Sequence, residues 1–187
     1  MTEQEPGDAA PSRYGGPRWE GSSRPGVQDG PLFVTTRALQ SIQSHAVAAY
    51  PLEACGFLLG PARSYSRQPW RVDTAVEATN GESQSPGTRF SIGAHAVFQH
   101  ERRAAANGAA VIGFYHSHPD RPAQPSALDQ MGSPPGFAHL IVGVSRRRTV
   151  EWRAFVSADV SGGLRQIRAV ACDTSEGAAG SIGGNHA

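Results

Sequence analysis

Residues 115–131 read YHSHPDRPAQPSALDQM, and this stretch constrains the chain more than any other. Its two histidines, His116 and His118, end VIGFY, a run with strand character. Side chains alternate between the faces of a strand, so residues two apart leave the same face. The spacing therefore aims both imidazoles at one point. Pro119, Pro122 and Pro125 keep the following loop extended, and Ser126 opens a short helical segment that carries Asp129 one turn in. A third, anionic ligand is thereby returned to the histidines. Two neutral imidazoles and one carboxylate leave a four-coordinate zinc ion with an open position, the makeup of a catalytic rather than a structural site. The same S-x-x-D is also close to a capping box, which would satisfy orphan amides at a helix start. The two uses are compatible, because a carboxylate has two oxygens and a hydroxyl accepts one hydrogen bond while donating another.

HSHPDRPAQPSALD resembles the signature of the JAMM (MPN-plus) zinc metallopeptidases: H-x-H-P, a short loop ending in P-S, then x-x-D, with a glutamate far upstream. Glu53, in YPLEACGFLLG, fills the upstream position in a form similar to the bacterial branch that acts on ubiquitin-fold sulfur-carrier proteins. The match runs from Leu32 to Val156, with no departure at the five motif positions. The resemblance implies that His116, His118 and Asp129 ligate Zn2+, that Glu53 is general base and acid, and that Ser126 supports an oxyanion. It implies a hydrolase acting at the C-terminal tail of a β-grasp sulfur carrier. A true ubiquitin-like modifier is the alternative substrate, and a non-catalytic MPN-type scaffold the alternative role.

Composition excludes other classes. Seventeen basic residues, all arginine, face 16 acidic ones for a net charge of +1, so no global field favours nucleic acid or an anionic membrane. Two cysteines, Cys55 and Cys172, make no disulfide framework, and the polar, Gly- and Pro-rich N-terminus reads as neither signal peptide nor membrane span. A reduced, cytoplasmic setting is expected. Oligomeric state is not legible. A zinc nucleobase deaminase would need H-x-E and P-C-x-x-C, and neither occurs. RadC-like proteins share the histidine pattern, but the near-zero charge and the EACG form count against a DNA role.

Along the chain, residues 1–30 read as a disordered tail, 31–172 as the catalytic domain and 173–187 as a second disordered tail. LFVT predicts a strand, and TTRALQSIQSHAVAAY a helix with Leu39, Ile42, Ala46 and Ala49 on one face, stopped by Pro51. EACGFLLG predicts a buried strand beginning at Glu53, and WRVDTAVEA a further one. A second helix is expected over 93–107. AAVIGFYHSH is the central strand, with Ile112, Phe114, His116 and His118 of one parity and Tyr115 and Ser117 of the other. FAHLIVGV and TVEWRAFV follow as strands joined by SRRR, and LRQIRAVAC as a last strand. Helices between mixed strands argue for an α/β layer structure, one sheet with helices on its faces. The family resemblance implies the three-layer, cytidine-deaminase-like arrangement.

Overall fold

A computed structural model of the chain describes residues 30–62, 70–133, 136–157 and 163–173. Apart from Gly30 and Asp173, the residues read as tails fall outside the described residues. The order is β1 (Leu32–Thr35), α1 (Thr36–Ala49), β2 (Cys55–Pro61), β3 (Trp70–Val72), β4 (Thr74–Ala78), α2 (Ala94–Ala106), β5 (Ala109–Pro119), α3 (Ala127–Gly132), β6 (Ala138–Ser145), β7 (Arg148–Ser157), β8 (Leu164–Ile167) and β9 (Ala169–Cys172).

Six strands form a mixed sheet in the order β4-β2-β5-β6-β7-β8, in which β5 and β6 are parallel and the other pairs antiparallel. On one face, Ala38, Leu39, Ile42 and Ala46 of α1 join Leu58, Tyr115, Leu140 and Val142 in one buried cluster. On the other, Val97 of α2 with Phe90 and Ile92 closes over Cys55, Phe57, Val111 and Phe114. The molecule is therefore a mixed α/β structure with helices on both faces of its main sheet. Thr35 caps α1, its hydroxyl accepting from the Ala38 N–H at 3.3 Å.

The single sheet expected from the sequence is corrected in one respect. A second, three-stranded parallel sheet, β3-β1-β9, joins the α1 side through Leu32, Val34, Trp70 and Val72. WRVDTAVEA and LRQIRAVAC are accordingly not one strand each. Both break at a residue where the chain changes sheets: Asp73, whose N–H donates to the Leu59 carbonyl, and Arg168, whose carbonyl accepts from Leu32. Hydrophobic alternation reads through both breaks because each half still pairs as a strand.

The expected parity of β5 also fails at one residue. Leu58 pairs with Gly113 and Leu59 with Val111, so Ile112 is the extra residue of a β-bulge. Ile112 consequently packs on the α1 side, and Val111 takes its predicted place beside Phe114. Downstream of the bulge the predicted alternation holds. Tyr115 joins the α1 cluster, while His116 stacks on Phe90 on the α2 side with ring centroids 4.6 Å apart.

Close approach fixes Gly56. A Cβ there would overlap the Val76 carbonyl oxygen and the Tyr115 ring, and neither can move without disturbing the β2 ladder or the α1 cluster. Gly56→Ala is expected to lower stability by about 1 to 3 kcal/mol, read as a lower urea midpoint. An unchanged midpoint would show that the Tyr115 ring yields freely.

Candidate metal centre

Strand β5 delivers the two histidines as their spacing predicts, with Nε2 of His116 3.1 Å from Nε2 of His118. Pro119 ends the strand and Asp120 turns the chain with φ 51°. This turn is held from three sides. The Asp120 N–H donates to the Val144 carbonyl at 2.7 Å, and its carboxylate accepts from Tyr50 Oη and Ser145 Oγ. The loop beyond is pinned where Glu151 accepts the Ala123 N–H at 2.7 Å. Ser126 then caps α3.

Both readings of S-x-x-D hold together in the same two side chains. Ser126 Oγ accepts the Asp129 N–H at 3.2 Å, and Asp129 Oδ2 accepts the Ser126 N–H at 2.7 Å, a reciprocal capping box. Asp129 also lies 3.4 Å from His116 Nε2 through Oδ1 and 3.4 Å from His118 Nε2 through Oδ2. Burial acts to raise the Asp129 carboxyl, but the hydrogen bonds from the two imidazoles outweigh it and hold the group well below the usual carboxylate range.

One donor atom from each of His116, His118 and Asp129 lies within 4.8 Å of the other two, and all three residues are buried. The donor chemistry fits a divalent cation. His118 Nδ1 sits 2.9 Å from the Pro122 carbonyl oxygen, which can only accept, so Nδ1 carries a proton and Nε2, which gives up its own proton when a cation binds, is the ligating nitrogen. Two imidazole nitrogens and one carboxylate oxygen are a donor set for a divalent transition-metal ion.

Glu53 precedes β2 rather than opening it, since the strand begins at Cys55. Its place is nonetheless set by the sheet. Cys55 pairs with His116, and Ala54 and Ser117 exchange hydrogen bonds, Ala54 N to Ser117 Oγ and Ser117 N to Ala54 O, both at 2.9 Å. Glu53 is the residue just before this exchange, outside the paired register of β2 and β5. Glu53 is 2 % exposed and is not part of the three-donor group. Its Oε1 accepts from Arg121 Nη2 at 2.5 Å.

Several residues that build this site, Asn80, Pro86 and Phe90 among them, carry only a weak signal in the sequence, a pattern that also recurs in the bacterial branch the chain resembles. Asn80 donates to the carbonyls of Glu53 and Arg89 and accepts from the N–H groups of Glu82 and Ser91, so it clamps the loop before α2 onto Glu53. The Glu53 N–H donates to the Pro86 carbonyl at 2.7 Å, and Phe90 stacks on His116. In the sequence these are ordinary loop types. Arg121 lies inside the motif, but nothing local announces a partner 68 positions upstream.

Burial also defines the parts played by Cys55 and His139. Cys55 is fully buried and its thiol is pushed up to about 12, first by burial and then by the Glu53 charge, which leaves it inert as a nucleophile. His139 is a sheet residue of β6, opposite Phe114, with no exposed surface. Burial, followed by the neighbouring His116, pushes it down to about 3, while Asp129 opposes. A neutral ring below its ordinary pKa of about 6.5 contributes stability that is present above that value and lost as pH falls toward 3. Ring nitrogen shifts should accordingly report His139 still neutral at pH 5, and a midpoint near 6.5 would contradict its burial.

Fold and site define a mixed α/β domain that gathers two histidines and an aspartate into a buried, metal-type donor cluster at the end of its central strand. Residues 35–156 match the family described as prokaryotic homologs of the JAB domain, and the chain belongs to it. The chain is similar to a desampylase of Haloferax volcanii, 30% identical over 127 residues that cover 65% of this chain and 87% of that protein. It is also 31% identical over 94 residues to the tail tip assembly protein K of Escherichia phage N15, of whose length it spans only 33%. Among solved structures, a protein from Desulfitobacterium hafniense superposes with a TM-score of 0.64 at 26% identity, covering 78% of this chain and 95% of that one. One from Salinibacter ruber gives 0.56 at 34% identity, covering 75% and 92%. Among the described residues, no helix is long and apolar enough to cross a membrane.

Proposed function

We propose that the chain is a zinc-dependent metallopeptidase that hydrolyses a peptide or isopeptide bond at the C-terminal tail of a ubiquitin-fold, β-grasp sulfur-carrier protein. The observation that carries this reading is the convergence of three buried donors, His116, His118 and Asp129, on one point, with the buried Glu53 two residues before the strand that pairs with β5. The similarity to a desampylase supports a ubiquitin-like substrate. The proposed catalytic domain spans residues 31–172.

Zinc, held by His116, His118 and Asp129, would supply Lewis acidity to the attacking water and the scissile carbonyl. Glu53 takes a proton from the water and returns it to the leaving amine, a task suited to a carboxylate held at one place by its backbone contacts to Pro86 and Asn80. The Ser126 hydroxyl, whose oxygen accepts from the Asp129 N–H, would turn its proton from the Asp129 carboxylate to the developing oxyanion. The Pro122 carbonyl holds the His118 tautomer.

Ser126→Ala is therefore expected to lower kcat by about 100-fold to 1000-fold. Loss of the cap should cost only about 1 kcal/mol of stability. Measuring kcat beside the urea midpoint separates the two, and an unchanged kcat would leave Ser126 as a cap alone. The function itself is tested by mass spectrometry of tail-extended sulfur-carrier proteins and of a true ubiquitin-like modifier, incubated with the full chain with and without chelator. Shortening of a sulfur-carrier tail that stops with chelator is expected. Tight binding of every substrate without cleavage would favour a scaffold.

A further inference from the structure

Arg146, Arg147 and Arg148 stand together in a chain whose net charge is only +1, and the proposed reaction leaves them without a task. They make the hairpin turn between β6 and β7, which closes where Ser145 pairs with Arg148. Arg146 and Arg147 have φ 49° and 59°. Two-residue hairpins with φ above zero ordinarily use Asn-Gly, because a Cβ makes that conformation costly. Turning alone is better served by that pair, yet both positions carry long cations. All three arginines are exposed, and among the described residues none of their side chains forms an ion pair. Val150, two residues further on, is 69% exposed. Strand β8 covers only residues 154–157 of β7, so the Arg148 end has no strand beyond it among the described residues.

The strand register places this tip at the metal end of the sheet. His118 pairs with Gly143 and Pro119 with Val144, and β6 ends at Ser145. Arg146 follows directly, so at about 3.3 Å per residue the tip begins on the order of 10 Å beyond the level of His118. It is fastened there by Asp120, which turns the chain after Pro119. The Asp120 carboxylate accepts from Ser145 Oγ at 2.9 Å, and its N–H donates to the Val144 carbonyl. A domain of about 100 residues has a radius of gyration of about 13 Å. A folded substrate whose tail reaches the metal cluster therefore has a body wide enough to meet the tip.

We infer that the arginine tip at 146–148, with Val150 beside it, is a docking surface for an acidic patch on the folded body of the substrate protein, separate from the contacts made to its tail. The inference rests on the hydrolase reading of the metal site. Three cations alone would also suit a nucleic acid. The exposed valine among them and the near-zero net charge favour a protein, since protein interfaces are enriched in arginine and set charge around an apolar centre.

The test compares the zinc-loaded full chain on two substrates: a folded β-grasp carrier of net negative charge with an extended tail, and a synthetic peptide of that tail alone. Arg147→Glu combined with Arg148→Glu leaves Arg146, whose charge acts on Asp120, in place. The double variant should raise KM for the folded carrier by roughly 10-fold to 100-fold, the effect of setting like charges across an interface, with kcat unchanged. The peptide should be cleaved as it is by the parent chain. Lysine at both positions should keep most of the parent KM. Higher salt should raise the parent chain's KM for the carrier and not for the peptide, which decides the matter if the variants fail to fold. An unchanged KM for the carrier overturns the inference, as does an equal loss on both substrates, and either result leaves the hydrolase reading intact. If the metal-loaded chain cleaves neither substrate, the hydrolase reading falls, and calorimetric titration of the carrier into the parent and the double variant decides docking by itself. Affinity lost with the substitutions supports docking; absent binding or equal affinity overturns it. A DNA duplex bound in place of the carrier, and released by the same substitutions, would also overturn it.

Discussion

Glu53→Gln is expected to bind as much zinc as the parent chain and to lose turnover by a factor on the order of 100 to 10,000, the usual contribution of a positioned acid-base group. Glutamine keeps the size of the side chain and its acceptor oxygen but cannot shuttle a proton. The substitution is mild for the fold. The backbone of residue 53 keeps its contacts to Pro86 and Asn80, and Arg121, one-third exposed, can turn to water. Zinc content should not change, since Glu53 is outside the three-donor group. Elemental analysis and kcat measured on the same preparation check both halves, and retained hydrolysis would remove Glu53 from the mechanism.

His116→Ala and Asp129→Ala should each bring zinc well below one ion per chain and abolish activity. The two differ in what else they disturb. Asp129→Ala also removes the acceptor of the Ser126 N–H, so it loses half of the α3 capping box and about 1 kcal/mol with it. His116→Ala leaves that cap whole but opens a cavity against Phe90. A shared loss of metal with these different stability effects would trace the defect to ligation. Full zinc occupancy in both variants, by elemental analysis, would mean that the ion is held elsewhere.

The sequence made the donor cluster of His116, His118 and Asp129 legible because much of its geometry is local. Two-residue spacing on a strand fixes the direction of both imidazoles, and S-x-x-D fixes the aspartate within one helical turn, so His116, His118, Ser126 and Asp129 needed no tertiary information. Features set by partner strands were less accessible. The bulge at Ile112 exists only in the register between β2 and β5, and the breaks at Asp73 and Arg168 only in the choice of sheet on either side. Arg121 shows the same divide within the motif itself. Its residue type is plain in the sequence, but its meeting with Glu53 depends on the turn at Asp120, whose anchors Tyr50, Val144 and Ser145 come from distant segments.

The most direct measurement is zinc K-edge X-ray absorption on the loaded full chain. It should return nitrogen and oxygen scatterers alone, at about 2.0 to 2.2 Å, with two imidazoles among them. One imidazole should disappear in His116→Ala, and the spectrum should be unchanged in Glu53→Gln. A sulfur scatterer at about 2.3 Å would place Cys55 or Cys172 on the metal and contradict the assignment of His116, His118 and Asp129.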